Sequence, residues 1–452
     1  MKHRLTILLT TAVILLSTVC LVAWMSVSDN GEIRGRLPGV GRRDKSLTPC
    51  ARIEEPPVTA DEIYGVLATG APPFMDNPFI TWLGETAGDD VYRKIICNAP
   101  GADLSDSRFW YTVCGMTLNV LKDLYEGKAH TRTTAQGPVT IAVTGDVCLA
   151  DDWENMLVLA LKGGVLSECI DEELLAGMND ADLTLVNNEF TISDRGEPLE
   201  GKYYTFRSSP ANVSLLTEMG VDIVSLANNH VYDYGARAFA DTLEILEGAK
   251  IAYIGAGRNI DEASEPRYFI VNGIKIAFVA ATRAEKMLLT PQATESASGV
   301  LRTYKPDRFL AVIAEAKTNA DFVIAYPHWG TENTHVLEQA QTEQARQYID
   351  AGADAVVGSH THCLQGIEYY RGCPVVYSLG NFWFNHEDGD TALLEIDIDV
   401  NGLSLKLIPC LQKGGVTSPA KGVEKERILR YMENISADVI IDESGRISRV
   451  SR

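Results

Sequence analysis

The chain has 452 residues, of which 46% are hydrophobic and 22% charged, a balance that excludes a disordered or fibrous protein and supplies ample material for a buried core. Its 40 basic and 61 acidic residues give a net charge of −21, so no nucleic-acid partner is expected. The same charge repels a polyanionic polymer unless bound cations reverse it locally.

The first predicted element is a membrane anchor. Lys2 and Arg4 precede an uncharged run, Leu5–Val27, which is long enough to cross a bilayer core of about 30 Å as a helix. We expect residues 1–27 to be an uncleaved single-pass anchor in the cell membrane and residues 28–47 to be a polar tether. The C-terminal body is expected to be extracytoplasmic, although basic residues in the tether count against this orientation. Cleavage near Ser26 stays open as the alternative.

The remainder divides into blocks of different composition. Residues 48–136 carry no motif with a readable chemistry and are interpreted as an N-terminal extension of unknown role. Gln136-Gly137-Pro138 is typical of a turn or loop, and a regular alternation of apolar and amphipathic segments begins after it. We expect one domain over residues 137–440 and a short C-terminal tail over 441–452.

Within this domain, short apolar runs alternate with longer amphipathic stretches, which predicts an α/β fold. The predicted strands are Val139–Thr144, Leu183–Val186, Ile223–Ala227, Ile274–Ala280, Phe322–Tyr326 and Ala355–Val357. The predicted helices are Asn212–Met219, Ala236–Glu247, Arg308–Lys317 and Glu343–Ala351. Two hairpins are expected near the C-terminus, one turning at Arg371-Gly372 and one at Asn401-Gly402, so antiparallel strands should join the sheets.

Polar side chains follow the apolar strands at the point where each strand ends. They are carboxylates, amides and imidazoles, namely Asp146, Asn187-Asn188-Glu189, Asn228-Asn229-His230, His328 and His360-Thr361-His362. The carboxyl ends of parallel strands form a common crevice, so these side chains are expected to converge. A mixed oxygen and nitrogen donor set suits Mn, Fe or Zn better than Ca.

Six segments follow one another along the chain, namely Gly145-Asp146-Val147-Cys148-Leu149, Asn188-Glu189, Ala227-Asn228-Asn229-His230 with Asp233-Tyr234-Gly235, His328-Trp329-Gly330-Thr331-Glu332, Gly358-Ser359-His360-Thr361-His362 with Gln365, and Tyr377-Ser378-Leu379-Gly380-Asn381-Phe382. Taken in order, these segments resemble the CapA family of capsule or poly-γ-glutamate synthesis proteins, which is similar to the calcineurin-like metallophosphoesterases. The resemblance covers about residues 139–435.

The resemblance implies a four-layer α/β/β/α sandwich of metallophosphoesterase type that holds one or two divalent transition-metal ions, Mn, Fe or Zn. Asp146 and His362 would ligate the first metal, and Glu189 would bridge the two. The second metal would take Asn229, His328 and His360. His230 would be the proton donor to a leaving group, since an imidazole titrates near neutrality.

Two positions depart from the metallophosphoesterase pattern, and both affect the first metal. Cys148 stands where those enzymes have a histidine, and it is interpreted either as a buried apolar residue or as a thiolate ligand. Glu189 replaces the usual aspartate, although its longer side chain can still bridge. A centre with a single metal therefore stays open.

Three neighbouring residues have two interpretations each. Asp233 either orients His230 or caps the following helix, and Glu332 either orients His328 or is a solvated charge. Asn381 either lines the pocket or belongs to a turn.

Two classes of function remain. The first is a membrane-tethered, metal-dependent hydrolase or transferase in capsule or poly-γ-glutamate biosynthesis. The second is a non-catalytic subunit that binds polymer or serves as a scaffold in a synthesis or export complex. The expected partners are an anionic cell-envelope polymer or its precursor, and membrane synthase subunits that supply ATP chemistry, because the sequence has no phosphate-binding Gly-x-x-x-x-Gly-Lys-Ser/Thr loop.

Overall fold

The computed structural model describes residues 129–132, 138–271, 274–285, 289–399 and 402–450. The strands are β1 Ala129–Arg132, β2 Val139–Val147, β3 Leu183–Asn188, β4 Thr191–Ile192, β5 Arg207–Ser208, β6 Ile223–Ser225, β7 Ala252–Ile254, β8 Ala256–Gly257, β9 Arg267–Val271, β10 Ile274–Thr282, β11 Gly299–Val300, β12 Phe322–His328, β13 Ala355–Val357, β14 Leu364–Tyr370, β15 Cys373–Leu379, β16 Asn381–Trp383, β17 Gly389–Asp399, β18 Gly402–Lys413, β19 Val416–Pro419, β20 Val439–Ile441 and β21 Arg446–Arg449. The helices are α1 Glu154–Leu161, α2 Glu172–Asp180, α3 Val213–Glu218, α4 Gly235–Gly248, α5 Ile260–Ala263, α6 Asp307–Asn319, α7 Gln339–Ala351 and α8 Val423–Ile435, with short 3₁₀ turns at Leu166–Glu168 and Pro210–Asn212.

Two large sheets organise these elements. In the described residues, one is seven-stranded with the order β1-β9-β10-β12-β13-β15-β14, and the other is ten-stranded and runs β20-β21-β18-β17-β2-β3-β6-β7, with β16 on β2 and β19 on β18. The strands that carry the polar ends are parallel: β2, β3 and β6 in the ten-stranded sheet, and β10, β12 and β13 in the seven-stranded sheet. The α/β prediction is confirmed, as are both hairpins, β14–β15 and β17–β18.

Side-chain alternation separates three apolar cores. Ile141 and Val143 of β2 point into the space between the sheets, where they pack with residues such as Phe278 of β10, whereas Ala142 faces the helices outside the ten-stranded sheet. Val279 of β10 faces outward onto the helices of the seven-stranded sheet. Helices α1 to α4 cover the first outer face and helices α6 and α7 cover the second, which gives the order helix, sheet, sheet, helix.

The chain termini of the domain differ from expectation. The predicted tail over 441–452 is in part strand β21, which pairs with β18 through Leu405 and Ile447, because Ile441 and Ile447 are buried in the core between the sheets. Likewise β1, placed by sequence in the extension 48–136, is the edge strand beside β9. Both ends therefore belong to the folded domain.

Among the described residues, no helix combines the length and the apolar character needed to cross a membrane. The predicted anchor over 1–27, the tether over 28–47 and most of the extension lie outside the described residues.

Candidate metal centre

The sequence-predicted donors meet at the seam between the two sheets. Asp146 lies in β2, Glu189 directly follows β3, and Asn229 follows β6, so the ten-stranded sheet supplies three donors. The seven-stranded sheet supplies His328 from the end of β12, together with His360 and His362 after β13. The parallel strands thus direct their carboxyl ends to one place, as the pattern of polar strand ends predicts.

Two groups of donors have the spacing needed to hold an ion. In the first, ligand atoms of Glu189, His328 and His360 lie within 4.8 Å of one another, and in the second those of Asp146, Glu189 and His362 do so. Glu189 belongs to both groups, which is the position of a bridging carboxylate. The structure therefore brings these five residues together in the grouping that the resemblance implies.

The backbone around Asp146 fits only a glycine before it. The Asp146 amide donates to the Gly380 carbonyl at 2.9 Å, and a Cβ on Gly145 would lie 1.9 Å from that oxygen. The register of β2 with β3 also shifts between Val143 and Asp146, a bulge that turns the end of the strand. Gly145 permits this close approach, which sets the direction of the Asp146 carboxylate.

Both histidines after β13 have an uncommon backbone conformation. His360 has φ 98° and His362 has φ 58°, in the region that side chains other than glycine seldom occupy. The His360 amide donates to Asp146 Oδ2 at 3.2 Å, which ties this turn to the opposite sheet. Such strain costs on the order of 1–3 kcal/mol and persists where the surroundings fix it, often at functional sites.

Burial sets the protonation of the donors. Desolvation raises the pKa of Asp146, and it raises the pKa of Glu189 well above its ordinary range, with the Asp146 charge adding to the effect. Desolvation also holds the pKa of His328 and that of His360 well below the ordinary value. The His328 and His360 imidazoles are therefore neutral ligands at physiological pH, and a bound cation would favour the ionised form of both carboxylates.

Among the described residues, eight buried side-chain polar atoms have no hydrogen-bond partner, and two of the eight belong to the donor groups. They are Glu189 Oε1 and His360 Nδ1. Leaving such atoms unpaired costs about 1–3 kcal/mol each, so native structures rarely leave them without a role. A divalent ion accepts electron pairs from a carboxylate oxygen and an imidazole nitrogen alike, and these residues fit one.

His328 is fixed on both ring nitrogens. Its Nδ1 lies 2.9 Å from Ser359 Oγ, and its Nε2 lies 2.8 Å from Asn229 Oδ1. Asn229 Oδ1 is thus in contact with one donor, and its role as a ligand of the second metal stays a prediction. Glu332, by contrast, is exposed and forms no ion pair with His328, although its charge contributes to raising the pKa of Glu189. Ser359 occupies the orienting position that the sequence offered to Glu332.

Asn187 was predicted to converge with the other strand-end side chains but was given no role in the site. Its Nδ2 donates to Asp146 Oδ1 at 2.8 Å and to Glu189 Oε2 at 3.0 Å, and its Oδ1 accepts from Asn228 at 3.0 Å. This one amide therefore sets the spacing of both carboxylates. Its place in the same strand-end run as Glu189 was the available signal.

His230 is paired with Asp233 at the edge of the donor groups. His230 Nδ1 lies 2.7 Å from Asp233 Oδ2, and the ring lies 4.4 Å from the Phe206 ring. Burial lowers the pKa of His230. The structure favours the orienting interpretation of Asp233, because α4 begins at Gly235 with Tyr234 as its N-cap and has no side-chain cap hydrogen bond.

The structure also distinguishes between the two interpretations of Asn381 and of Cys148. Asn381 Oδ1 lies 2.7 Å from His362 Nδ1, so Asn381 orients that imidazole rather than serving only in a turn. Cys148 is fully buried in the core under helices α1 to α4, and burial raises the pKa of its thiol well above the ordinary value. It is in neither donor group, which agrees with the apolar interpretation.

A buried lysine, Lys202, is a residue that sequence reasoning missed. Its Nζ lies 2.7 Å from Asp233 Oδ1 and 3.0 Å from Glu285 Oε1, and it donates to the Asn229 carbonyl. A lone lysine in a loop carries no local pattern, so no sequence signal pointed to it.

Comparison with known proteins gives this arrangement a context. The family described as "Bacterial capsule synthesis protein PGA_cap" matches residues 140–386. The chain is 34% identical to the capsule biosynthesis protein CapA of Bacillus anthracis over 229 residues, which cover 49% of this chain and 55% of that relative. It is 35% identical to the PGA biosynthesis protein CapA of Bacillus subtilis strain 168 over 249 residues, which cover 54% of this chain and 65% of the relative.

The chain thus spans less than two thirds of the length of these relatives. A crystal structure of a hypothetical protein from Thermus thermophilus aligns with a TM-score of 0.36 and 15% identity over 61% of this chain and 99% of that one, a similarity too low to carry an argument. The family match, however, spans more than half of the 452 residues, from β2 to just beyond β16, and includes every donor. The chain therefore belongs to the CapA family of bacterial capsule synthesis proteins.

Proposed function

We propose that this chain is a metal-dependent hydrolase or transferase that acts on a capsule polymer of the poly-γ-glutamate type or on its precursor. The observation that carries the proposal is the sharing of Glu189 between two donor groups, with the His230–Asp233 pair beside them. Scaffold proteins have no need to bury two carboxylates whose pKa values are both raised by desolvation.

Five side chains would hold the metal, Asp146, Glu189, His328, His360 and His362, and Asn229 Oδ1 lies close enough to His328 to join them. A divalent ion in such a site supplies Lewis-acid stabilisation of a phosphoryl or acyl oxygen. Asn187 keeps the two carboxylates apart, and Ser359 and Asn381 fix two of the imidazoles. These contacts hold the donors in position before an ion binds.

His230 has the role of proton donor in this proposal. Its Nδ1 is held by Asp233, so its Nε2 is the ring atom left to face a substrate. The residue retains about 6% exposure, which gives access from the solvent, while the Phe206 ring covers one side of the imidazole. Burial lowers the pKa of His230 and the Asp233 carboxylate opposes that shift, so Asp233 would support the protonated ring that donates to a departing oxygen or nitrogen.

The cellular setting is part of the proposal. Residues 1–27 would tether the domain to the cell membrane with its body outside, beside synthase subunits that supply ATP chemistry. The net charge of −21 disfavours general electrostatic capture of an anionic polymer. Contact with such a polymer would therefore be local, at the metal centre, where cations reverse the sign of the field.

Elemental analysis of the full-length protein tests the proposal, with His360→Ala/His362→Ala as the deficient variant and the exposed His386→Ala as the control. About one to two transition-metal ions per wild-type chain, lost only in the double variant, are expected. Phosphodiester and amide substrates are then tested with wild type and His230→Ala, and the variant should keep its metal and lose hydrolysis. A protein that holds no metal after repletion would overturn the catalytic proposal. A metal-loaded protein without hydrolysis would favour the polymer-binding subunit instead.

A further inference from the structure

Residues 199–206 form a loop that covers Asp233, the residue that orients His230. This loop is here called the Asp233 loop, although Asp233 itself lies outside it. The Leu199 amide donates to the Asp233 carbonyl at 2.8 Å, and the Phe206 amide donates to Asp233 Oδ2 at 2.7 Å. Lys202 Nζ reaches the other carboxylate oxygen, Oδ1, at 2.7 Å. The loop is therefore fastened at both ends and in its middle to one residue.

Lys202 also connects this loop to both sheets. It donates to the carbonyl of Asn229, which follows β6 of the ten-stranded sheet. Its Nζ lies 3.0 Å from Glu285 Oε1, which follows β10 of the seven-stranded sheet. The exposed fraction of the Lys202 side chain is only 7%, and those of Asp233 and Glu285 are 0% and 12%.

This burial distinguishes Lys202 from an ordinary surface ion pair. Exposed pairs contribute little, whereas removal of one partner from a buried pair leaves an uncompensated charge. Without the Lys202 cation, the buried carboxylate of Asp233 and the partly buried carboxylate of Glu285 would repel each other. The Asp233 loop would then lose its attachment at Lys202 and keep the hydrogen bonds of the Leu199 and Phe206 amides to Asp233.

The loop in turn forms one wall of the His230 side chain. The Phe206 ring lies 4.4 Å from the His230 ring and 5.6 Å from the Phe384 ring, and Phe384 lies 4.8 Å from His362. The ion pairs of Lys202 are with Asp233 and Glu285, which are in neither donor group, and its hydrogen bond to the candidate ligand Asn229 is to the backbone carbonyl and not to the side-chain oxygen. A change at Lys202 therefore acts mainly on the position of His230 and of the Phe206 ring beside it, and less on the metal donors.

We propose that Lys202 is a positioning residue, which fixes the Asp233 loop across both sheets and so fixes the direction of the His230 ring beside the metal centre. The inference rests on the proposed function, in which His230 protonates a leaving group. It adds a residue to that site and assigns a task to the loop.

Two tyrosines in the Asp233 loop make its opening measurable by proteolysis. Tyr203 is 88% exposed and Tyr204 is 53% exposed, next to the buried Lys202. Chymotrypsin cleaves after tyrosine only when the local backbone opens, and the rate follows the population of the open form. Cleavage after these two tyrosines, identified by mass spectrometry of the fragments, therefore measures how firmly the loop is held.

Proteolysis of the full-length protein is compared among wild type, Lys202→Met, Lys202→Arg and Lys421→Met, the last of which removes the exposed pair with Glu173. We expect cleavage in the loop to be about tenfold faster in Lys202→Met and within about twofold of wild type in the other two. Equal rates in Lys202→Met and wild type would overturn the proposal. If Lys202→Met does not fold, Lys202→Met/Glu285→Gln removes the cation together with one of its anions and is judged by the same criterion.

Hydrolysis gives a second readout that a purely structural role would not move. Protonation matters for a phenyl leaving group and hardly at all for p-nitrophenol, so Lys202→Met should lower kcat on a phenyl phosphodiester about tenfold more than on its p-nitrophenyl analogue. KM and metal content should be unchanged, and Lys202→Arg should restore kcat. An equal loss on both esters would overturn the positioning of an acid. A metal-loaded wild type that hydrolyses neither these esters nor the amide substrates would overturn the proposed function, and with it this role of Lys202, while proteolysis would still decide whether Lys202 fixes the loop.

Discussion

Oδ2 of Asp233 lies 2.7 Å from Nδ1 of His230, which is three residues earlier in the segment between β6 and α4. The same oxygen accepts the Phe206 amide at 2.7 Å. Because both side chains are buried, the pair fixes which ring nitrogen faces the donors of the metal centre. The carboxylate also favours the imidazolium form against the desolvation that lowers the His230 pKa.

We therefore expect Asp233→Asn to lower kcat for a substrate with a poor leaving group by about 10- to 100-fold. An amide neither stabilises the imidazolium as a carboxylate does nor pairs with Lys202. Steady-state kinetics on the phenyl and p-nitrophenyl esters check this, with metal content measured in the same samples. Asp261→Asn, which removes an exposed pair with Arg308, is the control. Unchanged kcat on the phenyl ester would contradict the role of this pair.

Glu189 should show a conflict between stability and metal binding. Its carboxylate is fully buried, and burial raises its pKa, so the ionised form costs free energy when no metal is bound. Glu189→Gln should raise the free energy of unfolding of the metal-free protein by about 1–2 kcal/mol at neutral pH and abolish the stabilisation by added metal. Denaturant unfolding with and without chelator checks both statements.

Glu247→Gln is the matched control for Glu189→Gln, because pairing with Arg258 lowers the pKa of Glu247. Neutralising that residue should leave the metal response intact and should not stabilise the protein. A metal response retained in Glu189→Gln would show that Glu189 is not a shared ligand.

The two histidines after β13 should affect different ions. His360 belongs to one donor group and His362 to the other, with Glu189 common to both. We expect His360→Ala and His362→Ala each to reduce the metal content by about half if two ions bind, and the double variant to hold none. Elemental analysis after dialysis checks the stoichiometry. Complete loss of metal in each single variant would instead indicate one cooperative centre.

Metal-dependent stability should increase with pH. Asp146 and Glu189 have ordinary pKa values of 3.8 and 4.5, and burial raises both in the folded protein. Without metal, the stability that these groups contribute is present below the unfolded values and is lost as pH rises through the folded values. A bound cation favours their ionised forms and removes this loss.

His328 and His360 have the opposite effect on the pH dependence of stability. Their pKa values are lowered in the folded protein, so their stabilising contribution is present above about pH 6.5 and is lost as pH falls. The rise in Tm on adding saturating Mn²⁺ should therefore grow between about pH 5 and about pH 8. Thermal unfolding in matched buffers measures it, and a shift that is constant or shrinks with pH would contradict this account.

Gly145→Ala should disrupt the centre through the backbone. The added Cβ would lie 1.9 Å from the Gly380 carbonyl oxygen, which accepts the Asp146 amide. We expect a loss of about 1–3 kcal/mol in the free energy of unfolding, together with weaker metal binding. Gly248→Ala is the control, since no atom lies within 4 Å of its added Cβ at the end of α4. Equal behaviour of the two variants in unfolding and metal titration would refute the argument.

Local patterns predicted much of the sandwich. The apolar runs predicted β13 with its observed bounds, and α4 was predicted over 236–247 where the structure has Gly235–Gly248. Helix α8 was missed although Ile428, Leu429 and Met432 are buried along one face, because charged residues surround them. Strands β20 and β21 were missed because three or four residues carry too little signal without the neighbouring strands, β21 for β20 and β18 for β21.

The same division holds within the site. Donors that directly follow apolar strands were predictable, because the strand-end position itself points them to the crevice. The tasks of Lys202, Asn187 and Ser359 were not, since their partners lie in other strands and loops and only tertiary packing defines them. Glu332 was offered for a task that Ser359 performs, because adjacency in sequence does not give proximity to a ring nitrogen.

The meeting of donors from both sheets also has a kinetic consequence. The His360 amide and the Asp146 carboxylate are joined at 3.2 Å although 214 positions separate them in the chain. Contacts of such long range require the intervening loop to close first, and they form late in folding. No donor group is complete until the last of these closures, so a half-folded chain offers scattered single ligands that hold ions weakly. Tight metal uptake should thus coincide with the final packing of the domain, and its time course would report the rate of that folding step.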